Sequence, residues 1–182
     1  METSGNITHA QQVIDIKLKS TDLHDLLTDH LKSLYWTEQF LSRNLVPIIA
    51  VVSSEELQHM LDGILKETEL HIKNLEEVFA AIGEKTAVQT SHAVTGLRHE
   101  AFEMIQNTDR QSFVRDVSIV ASVQKITHYK IAVYGTLRAT CVVLGYLAAA
   151  DLLEQALRDE KKMDEELTRV AEIFVYKCAA SE

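Results

Sequence analysis

The sequence predicts an all-α fold, an antiparallel four-helix bundle whose long crossover carries an additional short helix. Three observations predict it. Four long segments repeat apolar residues at steps of three and four, the spacing of one helix face. Breakers are scarce: the chain of 182 residues has one proline and six glycines, and Pro47, Gly83 and Gly145 fall at expected helix ends. A loop-like stretch with its own amphipathic piece separates the four segments into two pairs.

Helix one is expected from Asp22 to Asn44, with Ser20 or Thr21 as N-cap and Asp22 and Asp25 in the first turn, where the helix dipole favours anions. Its stripe reads Leu27, Leu31, Leu34, Glu38, Leu41, Leu45, and Pro47 should break it. Helix two opens at a capping box, Ser53 with Glu56, and ends at Gly83. Its stripe is Leu57, Met60, Ile64, Glu67, His71, Leu75, Val78, Ile82. A short helix over Ala93–Gln106 sits in the crossover. Helix three runs from Thr108 or Asp109 to Leu144 and stops at Gly145, with Val120, Val123, Thr127, Lys130, Tyr134, Leu137 and Cys141 inward. Helix four runs from Tyr146 to Lys177, with Ala149, Leu153, Ala156, Glu160, Met163, Asp164, Leu167, Ala171 and Phe174 inward. So short a connection forces an antiparallel pair. Residues 1–20, ending in an alternating VIDIKLKS, read as an N-terminal arm, and 21–178 as the bundle domain.

Composition narrows the function. The net charge of -9 argues against non-specific nucleic-acid binding, which needs clustered Lys and Arg. The apolar runs are too short to span a bilayer, and METSGNITHAQQ has neither the basic nor the apolar region of a signal peptide. Cys141 and Cys178 form no CxxC motif, consistent with a reducing, cytoplasmic setting.

Each long helix also carries polar groups where its stripe should be apolar: Glu38; Glu67 with His71; Thr127 with Lys130; Glu160 with Asp164. Glu67/His71 and Glu160/Asp164 are i,i+4 pairs and share a face. Carboxylates on a core stripe are costly unless a cation or hydrogen bonds compensate them, and bundle metal sites are built this way. Oxygen-rich ligation with one imidazole suits iron or manganese. The bland reading competes at every position. RDEKKMDEELTR alone reads as a solvated face, and Glu38 alone fits a stripe edge as well as a ligand. Only the joint occurrence is specific.

LLTDHLKSLYWTEQFL, LKETELHIKNLEEVF, QKITHYKIAVYGTL and LGYLAAADLLEQALRDEKKMDEELT together resemble the ferritin-like superfamily, and more narrowly the bacterial YciF-like stress-associated family of uncharacterised function, over residues 22–176. The resemblance implies a ferritin-like bundle, commonly a homodimer, around a dinuclear carboxylate site. It carries metal ligation to Glu38, Glu67, His71, Glu160 and Asp164, and any activity to di-metal oxidase or peroxide-detoxifying chemistry. Helix three departs from the family, which usually has glutamates where Thr127 and Lys130 stand. Neither is a good ligand. Four negatives (Glu38, Glu67, Glu160, Asp164) less Lys130 and a protonated His71 leave minus two, enough for one divalent ion. Lys130 is therefore a candidate counter-cation in place of metal. Three functions follow: an iron or manganese protein, a metal-free structural or stress-response dimer with a Lys–carboxylate core, or a helical interaction module with no buried polar site.

Overall fold

The computed structural model describes residues 22–182, and the expected arm over 1–20 lies outside them. The elements are α1 (Leu23–Ile49), α2 (Glu55–Ala81), α3 (His92–Gln106), α4 (Phe113–Leu144), α5 (Leu147–Val170), a π-helical turn (Ala171–Val175) and a terminal α6 (Tyr176–Ala179). Among the described residues there is no strand. The four long helices pack in the cyclic order α1, α2, α5, α4, and α3 lies against α4.

The core has two apolar halves. In one, Leu27 and Leu31 of α1 meet Val78 and Phe79 of α2, Leu137 and Cys141 of α4, and Ala149 and Leu153 of α5. In the other, Leu41 and Leu45 meet Leu57, Leu61, Ile119, Val120 and Leu167. The start of α1 therefore lies beside the end of α2, the end of α4 and the start of α5. Every neighbouring pair is antiparallel, and the crossover runs the length of the bundle. It is tied down by Gln89 N–H donating to Lys32 O (3.2 Å) and by the Ser91 and Tyr129 hydroxyls (3.1 Å).

Helix ends differ from the local signals where tertiary contacts intervene. The α1 cap is Asp22, whose carboxylate accepts from Asp25 N–H at 2.9 Å, one residue beyond Thr21 and two beyond Ser20. Pro47 does not end α1. In the last turn its missing N–H forfeits a single bond, and Ala50 N–H still reaches Val46 O (3.3 Å). The α2 cap is Ser54 rather than Ser53: Asp116 of α4 accepts from both backbone N–H groups, and Ser54 Oγ is left to cap Leu57 N–H. Helix α4 begins at Phe113 rather than Thr108, because Gln111 takes a left-handed φ of 59° and Ser112 caps. Gly83 and Gly145 end α2 and α4 as expected, at φ 80° and 79°, each followed by an N–H that reaches back to Phe79 O and Cys141 O. Phe174 is exposed and Val175 is buried, because the wider π turn carries the chain one residue further before it faces the core.

Candidate functional site

Between the two apolar halves lies one polar layer, built of Glu38 (α1), His71 (α2), Lys130 and Tyr134 (α4) and Glu160 (α5), none more than 2% exposed. Each sits on its helix's inward stripe. Glu38 falls between Leu34 and Leu41, His71 one turn before Leu75, and Glu160 between Ala156 and Met163. Lys130 and Tyr134 are i,i+4 neighbours, so α4 presents an ammonium and a phenol on one face.

Lys130 Nζ lies 2.5 Å from Glu160 Oε1 and 3.0 Å from Glu38 Oε2. Tyr134 donates its hydroxyl to Glu38 Oε1 at 2.7 Å. His71 Nδ1 is 3.2 Å from Glu160 Oε1 and 3.8 Å from Glu38 Oε1. Burial alone would push the Glu38 carboxyl up, but the Lys130 ammonium, His71 and the Tyr134 hydroxyl hold it below the ordinary carboxylate range. Burial opposes the charge on His71, yet Glu160 and Glu38 raise it to about 9. Burial likewise opposes the Lys130 charge, and the same two carboxylates outweigh it. Glu38, His71 and Lys130 are thus each shifted toward the charged form, and the layer compensates charge with charge.

The sequence reading brought five ligands to one interior site, and the structure distributes them over three places. Glu38, His71 and Glu160 stand together, fully buried. Glu67 is half-buried and groups instead with His71 and Asp159, because Thr68 takes the inward place between Ile64 and His71. Asp164 is in neither group: Met163 occupies the core position, and Asp164 Oδ2 faces the exposed His128 Nε2 at 3.3 Å. Tyr134 and Asp159 were missed as site residues. Tyr134 stands on the inward stripe expected of helix three; nothing in the spacing singles out Asp159.

The dinuclear site that the ferritin-like resemblance implies does not fit these residues. A cation bridging Glu38 and Glu160 would have to take the place Lys130 Nζ holds, and α4 offers no carboxylate to the layer. A second, smaller opportunity exists. His71 Nε2 is buried without a hydrogen-bond partner among the described residues, 3.7 Å from Asp159 Oδ2.

Replacing Tyr134 with phenylalanine removes one donor from a buried carboxylate that keeps Lys130. The expected loss is about 1–3 kcal/mol, measured by urea denaturation at pH 7. A change under about 0.5 kcal/mol would mean that the phenol only fills space.

A family model described as "Domain of unknown function (DUF892)" matches residues 22–180. Protein YciF of Escherichia coli (strain K12) is 35% identical over 150 residues, covering 82% of this chain and 90% of its own. Among solved structures, the E. coli stress protein YciF superposes with a TM-score of 0.78 at 34% identity, covering 83% of this chain and 95% of its own. YcfI from Rhodopseudomonas palustris, provisionally described as a structural protein, superposes with a TM-score of 0.80 at 32% identity, covering 84% and 96%. A protein from Xanthomonas campestris at 17% identity, TM-score 0.66, covering 88% and 98%, shares the fold alone.

Proposed function

Because the chain belongs to the DUF892 family and is YciF-like, we propose that it is a structural, stress-response bundle protein whose polar centre is neutralised by its own side chains rather than by a metal. The observation that carries this reading is Lys130 Nζ within 3.0 Å of both Glu38 and Glu160. The setting proposed is the cytoplasm: Cys141 and Cys178 are unpaired, and no helix among the described residues is long and apolar enough to cross a membrane. The assembly proposed is a homodimer, supported by the exposed Val142, Val143 and Leu147 around the Gly145 turn; sedimentation equilibrium tests it. The acidic net charge supports neither nucleic acid nor an anionic membrane as partner.

A second reading is favoured by the orphaned His71 Nε2. With Glu67 and Asp159 it offers one nitrogen and two carboxylates whose ligand atoms lie within 4.8 Å of one another, toward the bundle surface. This set suits one divalent ion of the iron or manganese type, completed by water.

Metal analysis of protein purified without chelator, before and after incubation with manganese, decides between them. No bound metal is the expected result. One ion per chain that disappears in Asp159→Asn supports the second reading. Two ions per chain would overturn both.

A further inference from the structure

Helix α3 rests against α4, and beside the last turns of α1 it leaves an open-mouthed cavity of about 380 Å³. That volume falls in the range of small-molecule sites, roughly 300–1,000 Å³. Its walls are apolar: Leu41, Leu45 and Ile48 from α1, Ile105 from α3, Ile126 from α4, with Phe40 at one side. Two of its three polar residues are already satisfied. Asn44 Nδ2 donates to Phe40 O at 2.7 Å, and Ser122 Oγ to Ser118 O at 2.8 Å.

The third is Arg98, whose guanidinium stands over the Phe40 ring at 6.0 Å from its centroid. Among the described residues no carboxylate pairs with it. The two acids of its own helix are engaged elsewhere, Glu100 by Lys125 and Glu103 by His99. In a chain of net charge -9, an exposed guanidinium left unneutralised beside an apolar cavity is a site for a single anionic group. Its planar fork matches a carboxylate.

We propose that this cavity binds a linear amphiphilic carboxylate, a medium-length acyl chain lying along the α1–α3–α4 walls with its head group on Arg98. The apolar body is held by displacement of water from a preformed cavity and the orientation by one charge-assisted contact. The proposal is independent of the polar centre, and no residue of that layer lines the cavity.

The chain supplies its own reporter. Its single tryptophan, Trp36, stacks on Phe40 at 5.0 Å between centroids and 20° between planes. Dodecanoate, titrated below its micelle concentration into the full chain, should change Trp36 emission saturably with one molecule per chain. Dodecanol should bind more weakly, because it lacks the charge. Arg98→Gln should weaken dodecanoate about fivefold, the worth of one partly exposed ion pair, and leave dodecanol unaltered. Ala101→Phe, which fills the cavity from α3, should abolish the response to both while the melting temperature holds.

Absence of saturable binding to the wild-type chain overturns the proposal, as does an Arg98→Gln loss that is equal for acid and alcohol. A wild-type chain that takes no dodecanoate but dissociates from dimer to monomer on Ala101→Phe would mean that a second copy occupies the cavity, and the proposal fails.

Discussion

Lys130→Glu is expected to cost at least about 3–5 kcal/mol of stability, the penalty for breaking a buried ion pair and leaving its partners uncompensated. The substitution places a third carboxylate between Glu38 and Glu160, whose oxygens now lie 3.0 Å and 2.5 Å from the ammonium. Against a total stability of roughly 5–15 kcal/mol for a domain, the loss should lower the melting temperature by roughly 6–20 °C. Lys162→Glu is the control, since Lys162 is 74% exposed and its 3.9 Å approach to Glu166 is a surface contact; it should stay within about 0.5 kcal/mol. The double variant Thr127→Glu, Lys130→Glu tests what replaced what. It offers α4 carboxylates to the layer, so manganese or ferrous iron should restore stability by binding only the folded state. A metal-independent double variant, with Lys130→Glu as stable as the parent, would show that the lysine is not the counter-cation.

The second large effect is a pH dependence with a definite sign. His71 is raised in the folded state from 6.5 to about 9, so its proton is held more tightly there than in the unfolded chain. The stabilisation is complete below the unfolded value and is lost as pH rises through the folded one, a total on the order of 3 kcal/mol. Glu38 is shifted the other way. Its contribution is complete above the ordinary value of 4.5 and is lost on acidification. The two together predict a plateau between the ordinary values of the two groups, 4.5 and 6.5, with stability declining toward pH 9. Urea denaturation from pH 5 to 9.5 measures it. His71→Gln should flatten the alkaline decline at a lower overall stability; an alkaline slope unchanged in that variant would assign the titration to another group.

The fold was legible because its strongest signal is periodic. Leu27, Leu31, Leu34, Glu38, Leu41 and Leu45 are all buried in α1, and the short crossover helix falls one residue from its expected start. What failed was local and had tertiary causes. Ser53 looked like a cap, but Asp116, distant in sequence, takes its N–H. Phe174 looked inward, but a π turn shifts the face. At the site, Glu38, Glu160, His71 and Lys130 were readable as a charged layer. Glu67 was displaced because a step of three or four both satisfy a stripe, and Thr68 fits the tighter place. Asp164 lost its place to Met163 by the same ambiguity.

The polar layer also has a geometric consequence. Apolar stripes of similar leucines and valines can slide past one another by a whole turn, 5.4 Å, with little change in buried area. Here such a slip by α4 would carry Lys130 out of reach of Glu38 and Glu160 and toward the aliphatic half that holds Leu41 and Ile64, or the one that holds Leu34 and Leu75. Either displacement strands the cation in hydrocarbon and leaves the two carboxylates with His71 alone. The layer works as a key cut at mid-height, admitting one axial alignment of four otherwise interchangeable helices.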